Sequence, residues 1–391
     1  MRARRRTPLP VVACFLVLVS CTSGEGEPID SSTLPPPTTV ASSSAAPITT
    51  LASGAELPRG CNGRSPAGGQ TVAFVALGRA WALDPESERL TCMFEVGNPG
   101  PFAWGPQGDR VLLADLEVRG VTSEAPTLPG IDARPVAFDW GHPIGLAVVY
   151  AARDERTPEK RFMDDGHVEA LPALPGGRYL DVAYHPSGLA LAFVLDRRGE
   201  QSIWLSTNEG TDPVRLVFSE GGTTFRSIAF SPDGGRLVWT AQHAGGYPQI
   251  HTMDLAERTG FADGWRGDDG QEASNLHLAP SGRLMAFDAG TSCADRSAML
   301  VLSPEVARPA LPDSSEPSTV LGWLDRSTVL VGVGGCDEPL DLSAVDAAGT
   351  VSPLVLGAEV AATRTVTTSA PDSVPAPPVQ AEEQPPPEGV G

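Results

Sequence analysis

FRSIAFSPDGGRLVWTAQ, Phe225 to Gln242, is the stretch on which the fold turns. Ile228 and Phe230 alternate with Ser227, Ala229 and Ser231, the period-two pattern of a half-buried strand. Ser231-Pro232-Asp233-Gly234-Gly235 then reverses the chain. Proline presets φ, the aspartate can bond its own backbone, and a glycine takes the positive-φ position. Arg236 to Thr240 follows as a second strand, rich in β-branched and aromatic residues. Such a hairpin cannot bury its own apolar faces, so it needs neighbours.

The neighbours are copies of itself. FAWGPQGDRVLLAD starts at Phe102, FDWGHPIGLAVVYA at Phe138, VAYHPSGLALAFVLD at Val182 and LHLAPSGRLMAFDA at Leu276. A degenerate LGWLDRSTVLVGV starts at Leu321. The turn prolines Pro106, Pro143, Pro186, Pro232 and Pro280 are separated by 37, 43, 46 and 48 residues, and Leu324 stands 44 further on. A period near 40–45 residues with four strands per repeat is the mark of a β-propeller.

Seven units are predicted. The first comprises Val72–Ala76, Arg79–Leu83 and Leu90–Val96; the next five begin near Phe102, Val136, Leu180, Phe225 and Asn275; the last runs from Thr319 to Leu356. The first unit lacks an inner proline hairpin, so Glu359 to Val366 is expected to supply its missing strand and close the ring. A six-bladed ring with a divergent first unit is the alternative. AFSPDGGRLVW resembles the repeat of TolB-like, WD-related propellers, with the A-F-S-P-D-G core at Ala229 to Gly234. Pro186-Ser187-Gly188 and Pro280-Ser281-Gly282 are near matches, and the first and last units depart from the pattern. The resemblance implies the fold and carries no activity, because propellers host unrelated functions.

The N-terminus reads as an address. Basic MRARRR is followed by a short apolar run, Pro10 to Val19, too short to span a bilayer as a helix. It ends in Leu18-Val19-Ser20-Cys21, which resembles a bacterial lipobox. That likeness implies cleavage of residues 1–20, a diacylglycerol on the Cys21 sulfur, and a place on the outer face of the cell membrane. Residues 21–57, rich in Ser, Thr and Pro, read as a disordered tether, 58–366 as the propeller, and 367–391 as a proline-rich acidic tail. The chain carries 28 basic against 48 acidic side chains, so nucleic acid is a poor partner and a soluble monomer is expected.

With Cys14 removed and Cys21 lipidated, Cys61, Cys92, Cys293 and Cys336 remain, an even set in an exported chain. Cys293 and Cys336 lie 43 residues apart, one repeat, and both follow the second strand of their unit. A bond between them is therefore predicted, which leaves Cys61 to pair with Cys92. No C-x-x-C and no histidine spacing suits a metal, and no cofactor is expected.

No catalytic motif stands out. There is no G-x-S-x-G or H-E-x-x-H, and Val238 stands where an Asp-box would place an aromatic. His185 and His277 fall in inner-strand regions, where a structural role is expected. Trp104, Trp140, Trp239 and Trp323 read as packing residues, and Trp265 as the exposed one. Second-to-third-strand turns and blade-to-blade connections gather on one face of a propeller, around the channel mouth. There Arg197, Arg226, His243 and Tyr247 are the candidate binding residues, since arginine and aromatic side chains dominate interface energetics. The function this supports is a lipid-anchored binding scaffold for an envelope protein or glycan. A small-solute binder or sensor is the alternative, and a propeller glycan hydrolase or lyase ranks behind both.

Overall fold

The structure, a computed structural model, describes residues 49–364 apart from 62, 64–65, 67–69, 98–101, 106–107, 122–124, 126, 132–134, 141–146, 153–156, 172–173, 220, 259, 304–305 and 337. The segment expected to be a signal peptide, Cys21 and the expected C-terminal tail lie outside the described residues, as do the turn prolines Pro106 and Pro143. Within them the strands form seven antiparallel sheets, the blades of a propeller.

Blade 1 is built by Val360–Thr363, Val72–Ala76, Arg79–Leu83 and Leu90–Glu95, from the channel outward. Blade 2 has three strands, Ala103–Trp104, Arg110–Leu112 and Val118–Gly120. Blade 3 comprises Pro135–Trp140, Ala147–Ala152, Glu159–Phe162 and Val168–Ala170; blade 4, Arg178–Tyr184, Ala190–Arg197, Glu200–Thr207 and Val214–Phe218. Blade 5 comprises Thr224–Phe230, Arg236–Gln242, Pro248–Asp254 and Ala262–Arg266; blade 6, Ala273–Leu278, Met285–Ala289, Ser297–Ser303 and Val306–Pro309. Blade 7 comprises Ser318–Trp323, Thr328–Val333, Leu340–Asp346 and Val351–Ala358. Among the described residues no helix is long and apolar enough to cross a membrane.

The ring closes as the sequence predicts. The last strand pairs with the first long one in the register Val75↔Val360 to Val72↔Thr363. Gly322 permits this closure: at φ +128°, a Cβ there would fall on the Thr363 hydroxyl. The start of the domain departs from expectation, because Thr50–Leu51 adds a fifth strand to the outer edge of blade 7. Leu51 and Leu57 are buried there, so the propeller takes in residues ahead of the expected start at 58. Their apolar side chains are what the surrounding Ser/Thr-rich composition hides.

No sheet buries both its faces alone, and the core is correspondingly divided. Seven apolar clusters each join two neighbouring blades, from blades 1 and 2 around to blades 7 and 1. Trp81, Trp104 and Trp239 are the largest of their fully buried side chains, each 1% exposed or less. Burial of such a side chain is worth about 1.5–3 kcal/mol, so the ring is stabilised blade against blade.

Polar bonds repeat around the channel with the same period. Inner strands shift register at Tyr179/Asp181, Phe225/Ser227 and Ser274/His277, and each bulge re-aims one side chain at the next blade. Asp181 Oδ2 accepts the Ile228 N–H at 2.8 Å, and Ser227 Oγ accepts that of Leu276 at 3.2 Å. Asn275 Nδ2 donates to the Val320 carbonyl at 2.7 Å. On the opposite face His185 Nε2 meets the Gly234 carbonyl at 3.0 Å. Gly234 sits at φ +71°, and a Cβ there would fall on the His185 ring. That contact, as well as the turn, demands glycine.

Both disulfides have the expected partners. Cys293 and Cys336 join equivalent turns of blades 6 and 7, with Cα atoms 5.6 Å apart. Cys61 and Cys92 join the segment before blade 1 to its outer strand, at 5.1 Å. Closing such loops contributes about 3–4 kcal/mol each. Trp265 corrects the sequence reading: it is 9% exposed and packs at 4.6 Å on Phe287 of the next blade. Its Gly/Asp-rich flanks suggest a surface loop, but the residue itself lies in an outer strand that covers the blade 5–6 core.

Candidate binding site at the channel mouth

Inner strands of five blades enclose a cavity of about 760 Å³ in the channel. It reaches the face that carries the Thr291–Arg296 turn. The volume falls in the usual range for small-ligand sites. One wall is aromatic: Phe102 and Trp104 from blade 2, Phe138 and Trp140 from blade 3. The Nε1 atoms of Trp104 and Trp140 are buried and find no hydrogen-bond acceptor among the described residues.

The facing wall, from blades 6 and 7, is polar and heavily bonded. Asp288, 2% exposed, accepts from Val320 N (2.7 Å), Thr319 Oγ1 (2.6 Å) and Asn275 Nδ2 (3.0 Å). Arg296 Nη1 lies 3.7 Å from the same carboxylate. Desolvation nonetheless raises the Asp288 pKa, its bonds opposing only part of the shift. Asn275 reaches this network from a left-handed conformation, φ 53°, and its Oδ1 meets His277 Nε2 at 2.9 Å. Desolvation in the channel pushes His277 down to about 4.

Two further carboxylates face the channel. Asp139 accepts from the backbone of Tyr184 (2.7 Å) and Trp140 (2.8 Å); desolvation raises it to about 6. Asp181, bonded to Ile228 and Val182, is raised to about 7, again chiefly by desolvation. Their oxygens are engaged by backbone of their own and the next blade. These acids brace the channel wall.

The residues singled out from sequence are spread over blades 4 and 5. Arg197 is exposed at the end of the second strand of blade 4. Arg226 is paired, with Glu272 at 2.9 Å, an exposed bridge of modest worth. His243 and Tyr247 do come together: their rings stack at 4.8 Å, and the Arg266 guanidinium lies 3.6 Å over Tyr247. His243 Nε2 also stands 3.2 Å from His251 Nε2, and His251 Nδ1 is 2.9 Å from Asp263 Oδ1.

His251 and Asp263 escape a linear reading because strand register, which pairs them directly, is what joins them. The cavity residues Asp288 and Thr319 likewise escape it. Asp288 reads as one polar letter inside an apolar strand, and that break in the apolar run is the signal by which it could have been found.

No protein-family model matches this chain, and no curated protein matches it in sequence. Among solved structures it is similar to a prolyl endopeptidase at 12% identity, covering 76% of this chain and 50% of that one, with a TM-score of 0.52. It is similar to a puromycin-hydrolyzing peptidase of Mycobacterium tuberculosis at 14% identity, covering 75% and 55%, TM-score 0.50. TolB of Acinetobacter baumannii matches at 14% identity over 75% of this chain and 65% of that one, TM-score 0.45. The chain thus spans about half to two thirds of these proteins' lengths. The strand topology is that of a seven-bladed β-propeller, and the likenesses to the two peptidases agree with that fold; TolB proteins are also among its structural neighbours.

Proposed function

We propose that this protein is a lipid-anchored extracytoplasmic propeller that binds an envelope protein or glycan at its channel-mouth face. The observation that carries the reading is the cavity of about 760 Å³ on that face, aromatic on one side and polar on the other. Rigid walls favour binding: the Cys293–Cys336 bond pins two adjacent turns at the rim, and Asp288 and Asn275 fix the strands behind them. A binding role fits better than a catalytic one. The cavity's aspartates are engaged by backbone donors, and His277 faces an amide rather than a hydroxyl. The enclosed volume also suits a small solute, which is the second reading.

Anchoring rests on Leu18-Val19-Ser20-Cys21 behind a basic start. Cys21→Ala is expected to move the protein from the membrane fraction to the soluble one. Mass spectrometry that finds Cys21 unmodified in the native protein overturns the anchor. For the binding face, photoreactive residues at Arg197 and Tyr247 are expected to crosslink one envelope partner in whole cells. The same group at Asp233, in the hairpin turn on the opposite face, should not. Crosslinks from Asp233 alone would place the interface on the wrong side of the ring for this proposal.

A further inference from the structure

We propose that His243 and His251 form a binding site for a divalent transition-metal ion, on the side of blade 5 that faces blade 4. The two imidazoles arrive from different strands. His243 opens the turn after Arg236–Gln242, closed by its own N–H to the Tyr247 carbonyl at 3.0 Å, and His251 lies within Pro248–Asp254. Their Nε2 atoms meet at 3.2 Å. Two imidazoles on a tetrahedral ion, each with a bond of about 2.0–2.1 Å, hold their nitrogens about 3.3–3.4 Å apart. The pair needs to open by only a few tenths of an ångström.

The far nitrogens set the tautomers. A carboxylate only accepts, so His251 Nδ1 carries the proton given to Asp263 Oδ1 at 2.9 Å, and its Nε2 presents a lone pair. Carboxylate on imidazole on metal is the usual outer-shell arrangement. His243 Nδ1 lies 3.4 Å from the Thr223 hydroxyl, which can donate or accept. In the metal-free form His243 Nε2–H donates to His251 Nε2. Binding an ion moves that proton to His243 Nδ1, where Thr223 accepts it, and frees the second lone pair. The number of protons is unchanged.

The surroundings hold the pair in place. His251 is 3% exposed, stacked on Trp239 at 5.5 Å and edged by Phe261 at 4.9 Å. His243 is braced by Tyr247. Both histidines line a cavity of about 570 Å³, which leaves the remaining coordination positions to water or a small ligand. Two imidazoles favour zinc, copper or nickel over hard cations such as calcium.

The test uses the purified protein titrated with Zn²⁺ by calorimetry and with Cu²⁺ by electron paramagnetic resonance. One saturable site is expected, with hyperfine coupling from two nitrogens in the copper form. His243→Ala, a half-buried position whose loss the fold should tolerate, is expected to weaken binding at least tenfold, as is His251→Asn. Asp263→Asn should weaken it about 10–100-fold while both ligands remain. Asp164, Asp165 and His167 form an exposed cluster with metal-ligand geometry elsewhere on the chain. His167→Ala should therefore leave the binding unchanged. Binding no tighter than that of a folded His243→Ala/His251→Asn double variant, or binding lost only in His167→Ala, overturns the proposal.

Discussion

Ala362→Pro is expected to unlatch the ring. Ala362 lies in Val360–Thr363, the strand that returns from the end of the chain to complete blade 1. The Arg364 N–H donates to the Thr71 carbonyl at 2.8 Å, and alternation puts the Ala362 N–H on the same, paired side of the strand. Proline removes that donor and crowds the partner strand, a cost of about 3 kcal/mol or more. The damage does not stay local. Ala361 belongs to the core shared by blades 7 and 1, and Ala362 to the core shared by blades 1 and 2. Displacing the strand bares the edge of Val72–Ala76, all five residues of which are buried. A fall in Tm of about 5 °C or more is expected. Val168→Pro, in the exposed outermost strand of blade 3, should cost far less. Equal losses at the two positions would show that ring closure is not special.

The propeller is legible in the sequence because its repeating unit is local. Ile228, Phe230, Leu237 and Trp239 declare one hairpin within a dozen residues, and the turn prolines repeat it at near-constant phase. Phase also paired the cysteines, since Cys293 and Cys336 occupy the same place in adjacent units. The strand closing blade 1 was found by what its unit lacked. The candidate sites were much less legible, for a physical reason: their partners are set by register between strands and by contacts between blades. Nothing near His251 in sequence announces His243 at 3.2 Å, and nothing near Asp288 announces the Val320 N–H of the next blade. Trp265 misled in the same way, because its flanks are polar while its own side chain faces Phe287. Composition reports the average environment of a segment. A propeller decides burial residue by residue.

Asp288→Ala is expected to cost about 3–5 kcal/mol, the range for stripping one partner from a buried charged network. The side chain is the joint between blades 6 and 7. Its removal leaves the Val320 N–H, the Thr319 hydroxyl and the Asn275 amide without their acceptor, and each buried orphan carries its own desolvation penalty. Arg296 would lose the carboxylate at 3.7 Å as well. Asp288→Asn separates shape from charge: its amide oxygen can still take the Val320 N–H, but its NH₂ then faces the donors of Asn275 and Thr319. An intermediate loss is expected. The pH dependence distinguishes this joint from simple packing. Desolvation holds the folded pKa of Asp288 above the ordinary 3.8, so the folded state binds the proton more tightly than the unfolded chain. The contribution of Asp288 is therefore whole below that value and shrinks as pH rises through the folded pKa. In urea unfolding, the gap between wild type and either variant should be wider at pH 4.5 than at pH 8. A gap that widens instead toward pH 8, or a cost for Asp288→Ala under about 1 kcal/mol, would mean that blades 6 and 7 are held by their apolar core and the Cys293–Cys336 bond, with the carboxylate a bystander.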